Sequence, residues 1–380
     1  MTTADGKSYL NFNYIYKYTF KKRKSEVRSE LKKQRRILIV RQDRVGDVIV
    51  TTAIPREIKK QWPDSYIAVL VSFYTKDIYL NNPYVDEIIT NEDLQWKGAR
   101  EFFSRVFYIR RFKFTQALML LPSESLNYLL FLSGIRQRYG VGYKFYQFIT
   151  FVKGISRHKY IPLRHEADYC MDLARAIGIK SSNIIPEIYL SGEEKEKVRN
   201  TRKYFTKDGK IAAGIHSTSG KSSPNISVSS YLRIIKELQR TGLYKIVITD
   251  NNVPELLQNL EGVAYPNRNS PLRESILNLA ALDFLVSAST GPMHIAAALG
   301  VNTISMFCTL TACSPTLWGP LGNDSIIITP DDNYCGNKCS GDPKSCMFEN
   351  EGGIENQKII DSINHVSKKI RNKNSIKTTG

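Results

Sequence analysis

The sequence lacks any apolar run long enough to cross a membrane. Its most apolar stretches, such as Leu126–Leu132, are far shorter than the ~20 residues that a spanning helix needs. The N-terminal residues also lack the compact apolar stretch and the small-residue cleavage site of a secretory signal. These absences predict a cytoplasmic protein that meets a membrane, if at all, only peripherally at its inner face.

Acidic residues are scarce: 36 Asp and Glu stand against 54 Lys and Arg, which gives a formal net charge of +18. Such an excess indicates an anionic partner, either nucleic acid, an anionic membrane surface or a phosphorylated substrate. Residues 1–36 hold eleven Lys or Arg and only three acidic residues, and alternating aromatics at 12–20 precede the run Lys21-Lys22-Arg23-Lys24. This leader is either an element that contacts an anionic bilayer or a solvated extension.

Two kinds of motif are also missing. No recognised nucleic-acid-binding module occurs, so nucleic acid is not an expected partner. Cys335, Cys339 and Cys346 lack the tight pairs and the fourth ligand of a typical zinc site. Because disulfides are rare in the reducing cytosol, we expect free thiols, and we expect neither a metal nor a cofactor.

Short apolar runs alternate with helical stretches, which predicts parallel β-sheets in an α/β protein. One series begins at Ile37–Val40 and a second begins at Ile211–Ile215. The polar stretch 180–207 between them is loop-like and contains Pro186, so we place the domain junction there. Two doubly wound, Rossmann-like domains would face each other across a cleft at the carboxyl ends of their strands. The predicted order is a basic aromatic leader (1–36), a first domain (37–185), a linker region (186–206), a second domain (207–355), and a C-terminal helix and tail (356–380).

The loop after the first strand is the first chemically informative segment. It carries Gly46, which allows close backbone approach, and Asp47 at the start of a predicted helix running from about Val48 to Gln61. Asp47 either caps that helix or acts in the cleft. A helix start would lower the pKa of its carboxyl group, whereas burial in a cleft would raise it. The segment lacks the full dinucleotide fingerprint.

The second informative segment is Ser287–Ala296. A predicted strand ends in small hydroxyl residues and Gly291, and a helix then opens with Pro292 in its first turn. Backbone N–H groups at such a helix start can hold phosphate oxygens, with His294 close by. The alternative is an ordinary strand–turn–helix with a buried histidine.

Together these segments resemble the heptosyltransferase family, glycosyltransferase family 9. Ile37–Pro55 contains Arg-Val-Gly-Asp-Val-Ile-Val-Thr-Thr, and Ser289–Gly300 contains Ser-Thr-Gly-Pro-Met-His-Ile-Ala-Ala-Ala-Leu-Gly. Further similarity lies at His165-Glu166, Gly178, Met306-Phe307 and Trp318-Gly319-Pro320, so that the resemblance covers roughly residues 37–365. It implies the GT-B fold, with the acceptor on the first domain and a nucleotide-sugar on the second.

The resemblance also implies an inverting transfer without a bound metal. Asp47 matches the family's proposed general base, and Arg44 and Gly46 lie beside it on the acceptor side. The expected donor is ADP-heptose, and the expected acceptor is lipopolysaccharide core or a related glycolipid or oligosaccharide. The residues expected on the donor side are Ser289, Thr290, Gly291, Pro292, Met293, His294, Thr218, Lys221 and Asp250.

Two departures from the family pattern leave the donor open. Ser289 stands where the family has Asp, and the loop at 217–224 lacks the family's Trp, so that Lys221 either reaches a phosphate or is solvated. Asp250 either binds a ribose hydroxyl or forms a turn with Asn251. The alternatives are therefore a GT-B transferase with another nucleotide-sugar, or a non-catalytic basic binding protein. The basic residues within 97–113 either meet acidic acceptor groups or form a solvated helix face.

Overall fold

The computed structural model of the chain describes residues 34–335, 339 and 341–378. The leader predicted at 1–36 therefore lies almost entirely outside the described residues. Strands and helices alternate along the described chain, and they form two separate parallel sheets, as predicted.

The first sheet has six strands in the order β3-β2-β1-β4-β5-β6. Its strands are β1 (Arg36–Val40), β2 (Tyr66–Val71), β3 (Glu87–Thr90), β4 (Gln116–Met119), β5 (Gln137–Val141) and β6 (Lys153–Ile155). The central strand β1 pairs in parallel with β2 and β4, and its apolar residues are buried on both faces. A continuous apolar run is what such a doubly covered strand requires.

The second sheet has five strands in the order β11-β10-β9-β7-β8. They are β7 (Ile211–His216), β8 (Tyr244–Ile248), β9 (Phe284–Ala288), β10 (Asn302–Met306) and β11 (Ser325–Ile328). In both sheets all paired strands are parallel, so the loops that follow the strands gather at one edge of each sheet.

Twelve α-helices connect the strands within the described chain. They are α1 (Val45–Ile49), α2 (Ala53–Gln61), α3 (Ala99–Arg111), α4 (Glu124–Leu132), α5 (Phe145–Ile149), α6 (Glu166–Ala176), α7 (Gly192–Phe205), α8 (Val228–Thr241), α9 (Leu272–Ala280), α10 (Gly291–Ala298), α11 (Pro315–Trp318) and α12 (Asn356–Thr378). None of the described helices is both long enough and apolar enough to cross a membrane.

The prediction of a single helix over 48–61 is wrong, because the chain breaks between α1 and α2. The hydroxyls of Thr51 and Thr52 donate to the backbone carbonyls of Val48 and Ile49, at 2.6 and 2.8 Å. Such local side-chain bonds compete with the helical ladder. The break shortens α1 to five residues and turns it into a separate element beside the cleft.

The prediction that 180–207 is loop-like is also wrong, because α7 fills its second half. Ser191 and Glu194 form a reciprocal capping box at its start. The Ser-x-x-Glu spacing of a capping box is present in the sequence. The polar composition of the segment nevertheless led to the prediction of a loop. Both oxygens of Glu194 also accept hydrogen bonds from Arg273 of α9, at 2.7 and 2.6 Å, and Arg273 donates to the carbonyl of Asp77 in the first half. The segment therefore fastens the two halves together.

The two halves share apolar core as well as polar contacts. One buried cluster combines Val48 and Ile49 of α1 with Ile295 and Ala296 of α10. Burial of such side chains is the main source of favourable free energy in folding. The two segments that the sequence singled out are therefore packed against each other.

Candidate functional site at the junction of the two halves

Helices α1 and α10 approach each other closely at two glycines, Gly46 and Gly291. A Cβ atom on Gly46 would lie 2.8 Å from Cδ2 of His294, closer than real Cβ contacts come. A Cβ on Gly291 would lie 3.1 Å from the Cβ of Val45. The glycines in the two motifs thus allow the motifs to meet.

A cavity of about 370 Å³ opens at this meeting point. It contains seven of the residues predicted from the sequence: Arg44, Gly46, Asp47, Ser289, Thr290, Gly291 and His294. Its remaining lining residues are Asp43, Ser222, Ser223, Ala312, Cys313 and Trp318. The cavity therefore joins the predicted general base to the predicted phosphate-binding turn.

Asp47 does not cap α1. The N-cap residue is Arg44, which makes no side-chain capping bond, and an oxygen of the Asp47 carboxylate accepts a hydrogen bond from Nη2 of Arg41 at 2.7 Å. Burial raises the pKa of Asp47, and the neighbouring carboxylate of Asp43 raises it further, while Arg41 opposes both. The sequence left open whether a helix start lowers the pKa of Asp47 or burial raises it. In the structure the effect of burial is the larger one.

Arg41 is a buried hub that sequence reasoning did not identify as functional. Only 4% exposed, it donates to Asp43 at 2.8 Å, to Asp47 at 2.7 Å and to Glu166 at 3.2 Å. Glu166 is itself buried and is also paired with Arg157 at 2.7 Å. The only sequence signals were an arginine directly after a buried strand and the His165-Glu166 pair at the start of α6. The ion pairs fix the position of Asp47 at the cavity wall.

Two residues that line the cavity have buried hydroxyl groups without a hydrogen-bond partner among the described residues: Thr290 at the start of α10, and Ser223. Thr290 is the N-cap, yet its side chain makes no capping bond, and its buried Oγ1 has no hydrogen-bond partner among the described residues. The Oγ of Ser223, on the opposite loop, is buried and likewise without a partner. An unsatisfied buried hydroxyl is costly, and the first N–H groups of a helix also need acceptors. Both features suit an anionic ligand in the cavity.

His294 enters the same cavity as a neutral group. Burial, and to a smaller extent the nearby His165, lowers the pKa of its imidazole to about 3. Its ring packs nearly perpendicular to that of Trp318, with centroids 6.4 Å apart. At neutral pH His294 can therefore donate a hydrogen bond to a ligand but brings no positive charge.

His165 links the two halves beside this cavity. Its Nδ1 accepts from the N–H of Ala167 at 3.0 Å, so Nε2 carries the proton and donates to the carbonyl of Gly319 at 2.9 Å. Burial lowers the pKa of His165, which keeps it neutral. The two similarity segments around His165 and Trp318 thus form a second contact across the cleft.

Five of the predicted donor-side residues lie outside this cavity: Thr218, Lys221, Asp250, Pro292 and Met293. Asp250 is fully buried, and its carboxylate accepts bonds from the backbone N–H and hydroxyl groups of Ser217 and Thr218, at 2.7–3.2 Å. A carboxylate that is used in this way anchors its loop and does not face the cavity. Lys221 is exposed and does not line the cavity, and Met293 is fully buried in the core.

A second cavity, of about 590 Å³, lies on the other side of the contact between α1 and α10. Pro292 and Val45 form part of its wall, and aromatic rings of Phe73 and Tyr74 form another part. Amides and hydroxyls make up most of the polar groups in its lining: Thr249, Asn251, Asn252, Asn267, Ser270 and Ser275. The imidazole of His216 and the charged side chains of Lys76 and Asp77 complete the polar lining. It follows β7 and β8 at their carboxyl ends, where ligands bind in open α/β sheets.

A third hollow, of about 700 Å³, belongs to the first half alone. Gln42 lies at one end, next to Arg41, and Trp96, Lys97 and Arg105 line the remainder together with Glu101. Arg105 donates to the carbonyl of Gln95 at 2.9 Å. Two of the basic residues in the stretch 97–113 therefore line a concave surface at the carboxyl edge of the first sheet.

Three cysteine thiols lie near the first cavity. Cys313 lines it, and the Sγ atoms of Cys308 and Cys335 are 3.5 Å apart. Burial raises the pKa of Cys308 to about 12 and also raises that of Cys313. Within residues 34–335, 339 and 341–378, no group of three or more potential ligands is arranged to hold a metal ion.

Comparison with known proteins agrees with this geometry. Residues 109–346 match the model of glycosyltransferase family 9 (heptosyltransferase). A Haemophilus influenzae protein, named as a glycosyltransferase without a stated substrate, is 25% identical over 304 residues, which are 76% of this chain and 86% of that protein.

Two solved structures share the architecture. A glycosyl transferase family 9 protein from Veillonella parvula superposes with a TM-score of 0.70 at 19% identity, covering 87% of this chain and 97% of that one. The E. coli ADP-heptose LPS heptosyltransferase II gives a TM-score of 0.66 at 18% identity, covering 87% and 98%. These similarities confirm the predicted fold, and the chain belongs to glycosyltransferase family 9 as a glycosyltransferase with the GT-B fold.

Proposed function

We propose that the protein transfers a sugar from a nucleoside diphosphate to an acceptor hydroxyl, with inversion and without a bound metal. The observation that carries this proposal is the first cavity, where a carboxylate of raised pKa faces a helix start with unpartnered hydroxyls. These are the two groups that such a transfer needs: a proton acceptor and a site for the departing diphosphate.

The diphosphate would bind at the start of α10. The N–H groups of its first turn, the hydroxyls of Thr290 and Ser223, and the N–H of neutral His294 all donate hydrogen bonds there. Because these donors are fixed before the reaction, they stabilise the charge that develops as the bond from the sugar to phosphate breaks. The Asp250 network serves this site indirectly, by fixing the loop that carries Thr218 and leads to Ser223.

The nucleoside would occupy the second cavity. It adjoins the diphosphate site, because Pro292 of α10 lines the second cavity while Gly291 lines the first. Its aromatic walls and asparagine amides suit a heterocyclic base and a ribose. In this arrangement the diphosphate at the start of α10 would connect the nucleoside with the sugar, which would lie next to Asp47.

Asp47 would act as the general base. It takes the proton of the acceptor hydroxyl while the hydroxyl oxygen attacks the anomeric carbon and the nucleoside diphosphate leaves from the opposite face. Burial favours its protonated form and so makes it a better proton acceptor, whereas the charge and the hydrogen bond of Arg41 favour its ionised form and orient it. Arg41 is therefore a positioning residue.

The acceptor would lie in the third hollow, where Lys97 and Arg105 can meet phosphate or carboxylate groups of a glycan. Family membership and the named activity of the E. coli neighbour favour ADP-heptose as donor and a lipopolysaccharide core or related surface glycan as acceptor. Ser289, in place of the family's acidic residue, favours the alternative of another nucleotide-sugar, since it lines the cavity where the sugar would lie. Peripheral association with an anionic membrane through the leader remains part of the proposal.

Calorimetric titration of ADP, UDP and GDP in the presence of EDTA tests the donor site. We expect one nucleotide to bind without metal, and Thr290→Val to weaken that binding about tenfold or more, the scale of a lost hydrogen bond to a charged group. Ser305→Ala is the matched control, because its buried Oγ also lacks a partner but lies in β10 outside the cavity. Binding that requires metal, or that Thr290→Val and Ser305→Ala weaken equally, would contradict the proposal.

A further inference from the structure

The connection from β5 to β6, residues 142–152, exposes large aromatic side chains to an unusual degree. We call it the aromatic elbow. Tyr143 is 74% exposed, Phe145 and Phe148 are both 79% exposed, and Phe151 is 78% exposed. Phe145 and Phe148 are three residues apart in α5 and therefore share one face of it. A contiguous exposed apolar patch on a protein surface marks an interaction site.

In the aromatic elbow polar side chains are buried and aromatic side chains are exposed, which is the reverse of the usual distribution in a folded protein. Gln147 and Thr150 are each only 2% exposed. Gln147 accepts a hydrogen bond from the N–H of Lys144 at 2.8 Å and donates to the carbonyl of Val141 at 3.2 Å. Asn127 of α4, which is fully buried, donates to Oγ1 of Thr150 at 2.6 Å. These bonds hold the elbow in place, so its aromatic rings are displayed on a fixed support.

The stretch of sequence that contains the elbow is free of acidic residues, which lie only at its flanks, at Glu124 and Glu166. From Ser125 to His165 the sequence contains no Asp or Glu and seven Lys or Arg. Arg138, Arg157 and Arg164 are buried or paired within the fold, whereas the side chains of the other four are exposed. These four are Arg136, Lys144, Lys153 and Lys159. The surface therefore combines four exposed cations with four exposed aromatic rings.

We propose that the aromatic elbow docks on the surface of an anionic lipid bilayer. Aromatic rings favour the interfacial layer of a bilayer, and lysines beside them are attracted to anionic headgroups. A symmetric contact with a second copy would set the four cations of one copy against those of the other, which is unfavourable. Single-stranded nucleic acid binds in grooves where bases stack on aromatic rings, whereas these rings project from a connection between strands.

The position of the elbow agrees with this partner. It begins at the carboxyl end of β5, the edge at which the third hollow lies, and it ends at the opposite edge of the sheet because β5 and β6 are parallel. If the proposed function is right, a lipid-linked acceptor held in the bilayer would be presented near the start of the elbow, at the edge that holds the third hollow. The docking proposal is argued only from the exposed residues of the elbow. It can therefore be tested without acceptor or donor.

The first test is sedimentation of the full-length protein with vesicles of phosphatidylglycerol and phosphatidylcholine, and with phosphatidylcholine alone. At physiological ionic strength, where the Debye length is about 8 Å, we expect binding to the anionic vesicles only. The triple variant F145S/F148S/F151S should lower the partition coefficient at least about tenfold. The control variant Y204S/L243S/L256S changes three exposed apolar residues of the second half and should bind as the wild type does. Equal binding by wild type and the elbow variant overturns the proposal, and because the leader is present throughout, it cannot explain a difference.

The second test asks whether the elbow itself enters the bilayer. Phe148→Trp and Tyr204→Trp each add one tryptophan to the three native ones. Lipids with brominated acyl chains should quench the added fluorescence of Phe148→Trp and not that of Tyr204→Trp. Absence of quenching at 148 overturns the proposal. So does a wild-type dimer that F145S/F148S/F151S converts to a monomer, or binding of single-stranded DNA that the same variant abolishes while vesicle binding persists. Retained melting temperature and retained nucleotide binding in the elbow variant separate this result from a failure of the proposed function.

Discussion

The two walls of the first cavity differ in the kind of group that they supply. The wall from the first half is ionic, with Arg41 joined to Asp43, Asp47 and Glu166 in one buried network. The wall from the second half is neutral, with the start of α10, the hydroxyl of Thr290 and an uncharged imidazole. The first wall therefore carries groups that can gain or lose a proton. The second wall carries hydrogen-bond donors that stay neutral.

This difference follows from what each wall is proposed to do. A general base must take up a proton near the working pH, so its surroundings must set its pKa through burial, nearby charges and hydrogen bonds. A departing diphosphate brings its own charge. Oriented neutral donors can stabilise that charge, whereas a buried cation would first have to be desolvated. Substitutions in either wall of the cavity can test this difference in role.

Asp47→Asn should have the largest effect. An amide of the same shape cannot accept the proton, so we expect turnover to fall by about 10²-fold or more while nucleotide binding is kept. Steady-state rates at saturating substrates, together with nucleotide titration, measure the two effects separately. Asp43→Asn, which alters the same network without removing the proposed base, should cost much less. Unchanged turnover in Asp47→Asn would contradict the assignment, and a large fall in melting temperature would make the residue structural.

Arg41→Gln should change the pH dependence of the reaction. Arg41 is the group that lowers the pKa of Asp47 against burial and against Asp43. Its loss should raise that pKa further, so the acidic limb of kcat/KM should move to higher pH, because the base must be ionised to act. Arg41→Lys should move the limb less, since it keeps the charge. A reduced rate with the limb unmoved in both variants would show that Arg41 only supports the fold.

Gly46→Ala tests the contact between the walls. Its Cβ would press against the ring of His294 at 2.8 Å, and overpacking of this kind costs about 1–3 kcal/mol. We expect a lower melting temperature, measured by calorimetry or by the loss of circular dichroism on heating. The double variant Gly46→Ala/His294→Ala removes the ring and should recover much of the loss. If the double variant loses as much stability as the sum of the losses in the two single variants, or more, the clash is not the cause.

The same comparison shows what the sequence could and could not predict. The glycine, hydroxyl and histidine motifs follow strands directly, so their place at the cleft could be inferred from strand order alone. The break between α1 and α2 could not, because it depends on the hydroxyls of Thr51 and Thr52 competing for carbonyls in a helical pattern. The role of Arg41 could not either, since Glu166 reaches it from a helix far along the chain.

For Asp250 the sequence predicted a ligand contact that the structure does not support. Its position at the end of β8 suggested a ligand contact, yet the loop after β7 folds over it and uses all of its hydrogen-bonding capacity. Sequence position identifies the edge of the sheet but not which side chains remain free there. The elbow was missed for a related reason. Its aromatic run carries no sequence signal for exposure, and only the structure shows that Gln147 is buried and Phe148 exposed.

Ser289→Asp should have the smallest effect and gives the finest test of the comparison. It would place a carboxylate, as the family pattern has, on the wall that is otherwise neutral and next to the proposed sugar position. If Ser289 helps to select the donor, the ratio of kcat/KM between ADP-heptose and another nucleotide-sugar should change by up to about tenfold, the effect of roughly 1.4 kcal/mol. Ser289→Asn is the matched control, because it has the same size without the charge. A shift in Ser289→Asp alone would show that charge at this position reads the sugar. Equal shifts in both variants would assign the effect to size, and no shift in either would remove Ser289 from donor selection.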